Sequence, residues 1–299
     1  MVVLKKAEGF LPYRSLQKAA ASKERLLKKA EGFLPLDKEA GMTSFQATKK
    51  AESILGAKKS GHTGTLDFGV TGLLMIALGE ARKTLPLLMD LDKEYEGSMH
   101  MHGDVPDDRI KEAFKLFQGT IIQTPPVRSR VARKPRKREI YSLNFLGRGE
   151  NTRDVNFSVH CQHGTYIRKL VHDIGEKIGC GAHMARLRRT KIDGFSVEEA
   201  KPLSDISIRD IIPTERVLKR LGVKGIWLHN KDNITNKVMN GNPLYCFMIR
   251  KHDDIGEGDK AGIFLGRKLL AIGLALSDSG EWKRTKKKPI VKTDRVLKV

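Results

Sequence analysis

Cysteine is scarce in this sequence of 299 residues, and the three that occur, Cys161, Cys180 and Cys246, lie far apart. They show neither the even number and regular spacing of a disulfide framework nor the paired spacing of a zinc site. The sequence therefore argues against a disulfide-stapled secreted domain. It fits a protein of a reducing compartment, and we expect it in the cytoplasm.

Long apolar runs are also missing, since no stretch of about 18 apolar residues occurs. The first ten residues, MVVLKKAEGF, lack the apolar core and cleavage site of a secretory signal. We therefore expect no membrane span and no membrane partner. A phosphate-binding P-loop and a dinucleotide glycine fingerprint are absent too, so we expect no nucleotide cofactor.

The segment His160–His163 (HCQH) is the main candidate for metal binding. On a strand, however, His160 faces away from Cys161 and His163, so the ligands separate across the sheet. His100 and His102 share a face, but two imidazoles are fewer ligands than a zinc site needs. We expect no metal and no other cofactor.

Acidic residues are few relative to basic ones: 35 Asp and Glu stand against 56 Lys and Arg, a net charge of +21. Such an excess indicates a polyanionic partner, most often nucleic acid. A generally basic protein would disperse this charge, whereas here it is clustered, which predicts a long phosphate track. The clusters are Arg128, Arg130, Arg133, Lys134, Arg136, Lys137 and Arg138; then Arg186, Arg188, Arg189 and Lys191; and then Lys283, Arg284, Lys286, Lys287 and Lys288.

The chain begins with an internal repeat, because LKKAEGFLP occurs at residues 4–12 and again at 27–35. Only the second copy runs into LDKEAGMTSFQ, which is typical of a domain start. We interpret residues 1–30 as a basic extension that carries a duplicated segment. A change in character near Pro213 then divides the remainder into 31–213 and 214–299.

Periodicity predicts an α+β fold for residues 31–213. A helix is expected over Thr43–Leu55, with Thr43 or Ser44 as its cap and Phe45, Ala51, Ile54 and Leu55 as its apolar stripe. Other helices are expected at 107–118 and after Gly164, with alternating strands at 95–102 and 155–161. Residues 214–222 read as a short helix, and three later strands (262–265, 269–276 and 289–296) predict a small β-barrel.

One carboxylate stands out in Gly61–Leu74 (GHTGTLDFGVTGLL), because Asp67 lies in a run of glycine, threonine and aliphatic residues. The flanking Leu66 and Val70 are typical core anchors. A charge held between such anchors costs free energy unless something pairs with it. From the residues themselves, Asp67 is either a structural cap or a reactive group.

Four motifs in order resemble those of the TruB-type pseudouridine synthase family. They are the glycine-rich segment, Lys93-Glu94-Tyr95, the segment 164–170 (GTYIRKL) and the segment 181–190 (GAHMARLRRT). The segments 99–110 (MHMHGDVPDDRI) and 121–129 (IIQTPPVRS) resemble its dyskerin-like branch, the catalytic subunit of archaeal H/ACA guide ribonucleoproteins. The resemblance implies a catalytic domain with a mixed, mainly antiparallel sheet, followed by a β-barrel PUA domain that binds RNA.

The activity implied by this resemblance is the isomerisation of uridine to pseudouridine in rRNA or tRNA. Asp67 would be the catalytic carboxylate, acting on the sugar as nucleophile or as base, and Arg168 would be its counter-ion. Tyr95 would stack on the flipped base and take part in proton transfer at C5. The resemblance places His62, Leu187, Thr65 and Tyr166 around the substrate, and a basic thumb-like loop at about 124–140 on the RNA.

The partners implied are a guide RNA and a substrate RNA, with small zinc-ribbon-like, glycine/arginine-rich-type and kink-turn-binding proteins. Two alternatives stay open: a stand-alone synthase acting on the tRNA T-loop, and a non-catalytic RNA-binding assembly protein. The chain departs from the family at Phe68, where proline is usual. Because proline fixes φ, this substitution predicts a less rigid loop.

Overall fold

The computed structural model describes residues 30–125, 134–285 and 287–297. The predicted N-terminal extension lies outside the described residues except for Ala30. So does the middle of the predicted thumb-like loop, residues 126–133, and with it Arg128, Arg130 and Arg133. Within the described residues, no helix is long and apolar enough to cross a membrane.

A large mixed sheet carries the first part of the chain, with helices packed beside it. Its strands are β1 (Gly32–Lys38), β2 (Ser60–His62), β3 (Thr71–Leu78), β4 (Lys93–Met101), β5 (Gly119–Gln123), β6 (Arg136–Arg148), β7 (Asp154–Cys161), β8 (Ala182–Ile192) and β9 (Phe195–Ser196). The helices are α1 (Ser44–Leu55), α2 (Leu85–Leu88), α3 (Asp107–Leu116) and α4 (Ile167–Ile178).

The strand order of this sheet is β1-β3-β8-β4-β7-β6-β5, with β2 beside β3 and β9 beside β8. Its neighbouring strands run antiparallel except β3 and β8, which are parallel and pair Thr71 with Arg188 and Gly72 with Arg189. The predicted mixed, mainly antiparallel sheet is thereby confirmed. The parallel pair also brings the end of the glycine-rich segment against the arginine-rich segment, although the two lie far apart in sequence.

The helix predictions are confirmed in position and partly corrected in facing. Thr43 caps α1 in a reciprocal box with Gln46, as the sequence indicates. The predicted stripe is wrong for Phe45 and Ile54, which are 64% and 54% exposed. The buried face of α1 consists instead of small residues and one leucine, so the helix lies close to the glycine-rich loop. The apolar stripe of α4 is confirmed, with Ile167, Leu170, Val171, Ile174 and Ile178 all buried.

A second, smaller sheet occupies the C-terminal part. The elements there are α5 (Thr214–Arg220), β10 (Gly225–Leu228), α6 (Asp232–Met239), β11 (Ile249–His252), β12 (Lys260–Leu265), β13 (Lys268–Ala275) and β14 (Val291–Val296). The order is β11-β10-β12-β13-β14. The three predicted strands are confirmed, while β10, β11 and α6 were not predicted. In the described residues the pairing is an open sheet and does not show the closed barrel that we expected.

A shared hydrophobic core joins the two sheets. Phe33 and Leu73 from the large sheet pack in the same cluster as Val217 of α5 and Leu269 and Ile272 of β13. The predicted boundary at 213/214 therefore falls at a packed junction, and the division of the chain there stays a prediction.

The predicted thumb-like loop at about 124–140 is shorter than expected on its C-terminal side. β6 begins at Arg136 and pairs with the edge strand β5, with Gln123 opposite Arg136. Residues 136–140 therefore pair with β5 at the edge of the sheet and are not part of a loop.

Gly72 tests the packing of the parallel pair. A Cβ added there would lie 2.3 Å from the Arg189 carbonyl oxygen, and its φ of +101° disfavours other residues. We expect Gly72→Ala to lower the free energy of unfolding by at least about 2 kcal/mol, measured by denaturant titration. Gly69→Ala is the control, because nothing lies near its Cβ position; it should stay within about 1 kcal/mol of the parent. Equal stability of the two variants would contradict the packing described.

Candidate active site

The glycine-rich segment forms a loop with an exposed tip between two buried anchors. Leu66 and Val70 are buried as predicted, whereas Asp67, Phe68 and Gly69 are exposed. The Val70 amide donates to the Asp67 carbonyl at 3.0 Å and closes a tight turn. The carboxylate is therefore presented to solvent by buried neighbours and is not itself buried, contrary to the expectation of a charge enclosed by core residues.

Ser44, at the start of α1, fixes the backbone just before Asp67. Its hydroxyl accepts a hydrogen bond from the Leu66 amide at 2.8 Å and donates to the Leu66 carbonyl at 3.0 Å. Ser44 is fully buried, so water does not compete for these bonds. The side chain thus holds both polar main-chain atoms of Leu66.

Asp67 and Arg168 form an ion pair. Arg168 lies in the first turn of α4, and its Nη2 donates to Asp67 Oδ2. The two side chains are 55% and 54% exposed, so solvent screening leaves the pair little energy of its own. The structure thus brings together Asp67 and Arg168, which the family motifs indicate as carboxylate and counter-ion. The catalytic role of the pair stays a prediction.

Arg189 is only 1% exposed, which corrects its assignment to the RNA-binding surface. Its Nε donates to the Leu73 carbonyl at 2.7 Å and its Nη2 to the Gly64 carbonyl at 3.0 Å. A buried guanidinium is tolerated only when such acceptors replace water. Arg189 therefore ties the two ends of the glycine-rich loop to β8.

Tyr95 and Lys93 lie on β4 beside this guanidinium. Burial raises the pKa of the Tyr95 phenol, and Arg189, which hydrogen bonds with it, opposes that effect. Burial and the charge of Arg189 lower the pKa of Lys93 to about 8. The Lys93 amine donates to the Met89 carbonyl at 3.1 Å and also to the Leu91 carbonyl. Tyr95 therefore keeps its proton at neutral pH, next to a cation that would stabilise the phenolate.

His62 has a defined tautomer in this network. Thr48 donates its hydroxyl proton to the Ser44 carbonyl at 2.7 Å, so its oxygen is an acceptor toward His62 Nδ1 at 3.1 Å. The proton of the neutral ring is thus on Nδ1, and Nε2 lies 3.4 Å from Thr65 Oγ1. Burial lowers the pKa of His62, with a further contribution from Arg189.

The loop is also held from the side of β1. Lys38 is fully buried and donates to the Glu39 and Met42 carbonyls, each at 2.8 Å. Burial lowers its pKa, against an opposing influence of Asp67. The Gly41 amide in the segment so fixed donates to the Phe68 carbonyl at 3.1 Å. Phe68 thus has an anchored backbone and a ring that is 59% exposed.

Comparison with known proteins places the chain in a family. Residues 52–108 match the N-terminal domain model of TruB family pseudouridylate synthases. Residues 168–220 match the tRNA pseudouridylate synthase B C-terminal domain model. A probable tRNA pseudouridine synthase B of Methanopyrus kandleri is 39% identical over 279 residues, which cover 88% of this chain and 81% of the relative. The chain belongs to the TruB family of pseudouridine synthases.

Solved structures agree with this membership. A Cbf5-Nop10-Gar1 complex contains a chain that is 36% identical, with a TM-score of 0.79 and coverage of 92% of this chain and 87% of that one. An H/ACA ribonucleoprotein bound to a substrate RNA containing 2′-deoxyuridine gives 34% identity, a TM-score of 0.77 and coverage of 92% and 87%. The predicted family and its dyskerin-like branch are thus confirmed.

The remaining residues predicted to contact the substrate lie at varied depths in this TruB-family fold. Leu187 is buried in the main core, opposite Gly97 on β4. Tyr166 is half-buried at the start of α4, and Thr65 is exposed. Their contacts with the base stay predictions.

The basic residues predicted to bind RNA divide by exposure. Lys134, Arg136 and Lys137 are exposed around the start of β6, and Arg138 is half-buried against Gly164. On β8, Arg186 is exposed, while Arg188 makes a bidentate ion pair with Asp37 at 2.9 and 2.7 Å. The exposed members are those available to phosphates.

The expected strand covers only the first half of the HCQH segment: His160 and Cys161 are neighbours on β7 and so lie on opposite faces, while His163 follows the end of the strand. Cys161 is buried, and burial raises the pKa of its thiol to about 12. His160 is half-buried, and its ring lies 4.7 Å from that of Tyr141. Within the described residues, no group of three or more His, Cys, Asp or Glu side chains is arranged to hold a metal ion.

The supporting residues missed from sequence include Lys38, Ser44 and Thr48. All three lie in or just after LDKEAGMTSFQ, and we had read Ser44 only as a possible helix cap. The contacts Ser44–Leu66 and Thr48–His62 span 22 and 14 residues, so local patterns do not reveal them. Lys38 binds carbonyls only one and four residues away, but its burial does not show in the sequence.

Arg189 provides a direct test of the buried brace. In Arg189→Met the carbonyls of Gly64 and Leu73 lose their donor, at a cost of about 1–3 kcal/mol for each unsatisfied acceptor. We expect a lower free energy of unfolding, measured by denaturant titration, together with loss of activity. Arg186→Met removes an exposed arginine from the same strand and should leave stability within about 0.5 kcal/mol. A stable Arg189→Met protein with weakened RNA binding would restore the surface assignment.

Proposed function

We propose that this chain isomerises uridine in RNA to pseudouridine with Asp67 as the catalytic carboxylate, and that it does so as the catalytic subunit of an H/ACA guide ribonucleoprotein in the cytoplasm. The observation that carries the proposal is the exposed Asp67–Arg168 ion pair. Its loop has a backbone that is fixed by the buried Ser44 hydroxyl next to Asp67. An exposed carboxylate with a fixed counter-ion is accessible to a uridine flipped out of its stack.

The reaction breaks the N1–C1′ bond and forms a C5–C1′ bond, after which C5 loses a proton and N1 carries one. Ionised Asp67 is suited to begin it, by attack on C1′ or by removal of a sugar proton. The Arg168 guanidinium holds the carboxylate in place. The Tyr95 phenol can give its proton to N1 of the released base and then, as a phenolate stabilised by Arg189, take the proton that C5 loses.

RNA binding is assigned to the exposed basic residues around the predicted thumb-like loop and on β8. Lys134, Arg136, Lys137 and Arg186 are exposed, and together with Arg128, Arg130 and Arg133 they would neutralise phosphates and make affinity depend on salt. The similar solved structures are a Cbf5-Nop10-Gar1 complex and an H/ACA ribonucleoprotein bound to a substrate RNA, which supports RNA and protein partners for this chain. The partners proposed are a guide RNA, a substrate RNA and small zinc-ribbon-like, glycine/arginine-rich-type and kink-turn-binding proteins.

The stand-alone alternative has its own support, because the Methanopyrus kandleri relative is named as a probable tRNA pseudouridine synthase B. In that case the chain would modify tRNA without a guide. The two functions share the chemistry at Asp67 and differ in what selects the uridine.

Asp67→Asn tests the chemistry. The substitution keeps the size of the side chain and removes its charge, so the rate constant at saturating RNA should fall by at least about 10³-fold. The RNA dissociation constant should stay within about threefold of the parent value, because the phosphate contacts lie elsewhere. The assay is tritium release from RNA carrying [5-³H]uridine. Asp104→Asn, which alters another exposed Asp–Arg pair, is the control and should retain full activity. An active Asp67→Asn enzyme would refute the assigned role.

Guide dependence is tested with the same assay. The chain is incubated with labelled tRNA and rRNA fragments, alone or with guide RNA and the partner proteins. We expect turnover at a guide-matched uridine only in the full assembly, because guide pairing places that uridine at Asp67. Strong tRNA turnover by the chain alone would favour the stand-alone enzyme. Intact RNA binding without turnover in any assembly would favour a non-catalytic assembly protein.

A further inference from the structure

Gln123 of strand β5 makes a polar contact with the start of α4. It is the last residue of β5 and is 3% exposed. Its Oε1 accepts a hydrogen bond from the Tyr166 amide at 3.0 Å, and its Nε2 donates to the Tyr166 carbonyl at 3.2 Å. Both polar atoms of a buried side chain are thus committed to the main chain of one residue.

The start of α4 depends on this contact because it has no side-chain cap of its own. Tyr166 is the N-cap residue, and its own side chain makes no capping hydrogen bond. The amide groups of a first helical turn lack partners within the helix and need acceptors from elsewhere. Gln123, 43 residues earlier in the chain, provides one and holds the Tyr166 peptide against the edge strand.

The position of Tyr166 bears directly on the ion pair, since Arg168 follows two residues later. The Asp67–Arg168 pair is half-exposed and contributes little energy of its own. Its geometry must therefore come from the two backbones that carry it. On the other side of the pair, Ser44 holds both polar main-chain atoms of Leu66 in the same way.

We propose that Gln123 is a positioning residue, which sets the start of α4 so that the Arg168 guanidinium meets the Asp67 carboxylate. Gln123 acts through Arg168 and does not contact the reacting atoms. Together, Gln123 and Ser44 fix the two halves of the pair from opposite sides. This inference rests on the proposed function, in which the pair is catalytic.

The first experiment measures Gln123→Met, which keeps the length of the side chain and removes both hydrogen bonds. We expect the single-turnover rate constant to fall about 10- to 100-fold, because small displacements of a positioned group have effects of that size. The RNA dissociation constant should stay within about threefold of the parent value. The control is Gln118→Met, which removes a hydrogen bond to the Leu143 carbonyl at 3.1 Å and should retain full activity. An unchanged rate for Gln123→Met, or a loss confined to RNA affinity, would overturn the proposal.

A double-mutant cycle with Arg168→Lys separates positioning from general destabilisation. If Gln123 acts through Arg168, adding Gln123→Met to Arg168→Lys should lower the rate by less than about twofold, since coupled residues are not additive. A repeat of the full single-mutant loss would show that Gln123 acts independently of Arg168. Should Gln123→Met not fold, Gln123→Glu takes its place, because it keeps an acceptor for the Tyr166 amide while removing the donor to the carbonyl.

The outcome for Asp67→Asn distinguishes the two failures. An inactive Asp67→Asn enzyme with a fully active Gln123→Met enzyme leaves the proposed function standing and removes only the positioning claim. An active Asp67→Asn enzyme removes the catalytic pair itself, whatever Gln123 does.

Discussion

The buried guanidinium of Arg189 is the interaction on which the active-site region depends. The guanidinium donates hydrogen bonds to the carbonyls of Gly64 and Leu73, one at each end of the glycine-rich loop, in place of bonds to water. A charge this deep in a protein persists only with such partners. The position of Arg189 also depends on the pairing of its strand, because β3 and β8 run in parallel and contact each other at Gly72. Only glycine fits there against the Arg189 main chain.

The positive charge of the chain accordingly has two uses. Three buried cations, Lys38, Lys93 and Arg189, bind main-chain carbonyls and assemble the loop with its surroundings. Exposed cations such as Lys134 and Arg186 are free of that task and face solvent. The amino-acid composition counts both groups together as one excess of positive charge. Their burial in the structure distinguishes the cations that stabilise the fold from those that are available to RNA.

Much of this was predictable from sequence, and the failures have physical reasons. The stripe of α4 and the alternation of β4 and β7 were readable because periodicity is local. Arg189 was misassigned because four cations close together look like a surface cluster. A signal for its burial is present in Leu187, an apolar residue two positions earlier, because residues two positions apart on a strand share a face.

Other features could not be predicted from local sequence patterns. The contacts Ser44–Leu66 and Gln123–Tyr166 span 22 and 43 residues, so no local pattern reveals them. Phe45 and Ile54 were expected to be buried because they are apolar, yet α1 packs through small residues that allow a close approach. The open C-terminal sheet includes β10 and β11, four-residue strands that are too short to show a period. Tertiary packing decided each of these cases.

Because Ser44 and Arg189 hold its backbone, the loop bearing Asp67 should be assembled before RNA binds. Hydrogen exchange of the Leu66 amide, which is bound to Ser44 Oγ at 2.8 Å, measures this most directly in the free protein. If the loop is preassembled, this amide exchanges slowly without RNA and its protection changes little when RNA is added. Rapid exchange in the free protein, with protection gained only on RNA binding, would contradict the claim.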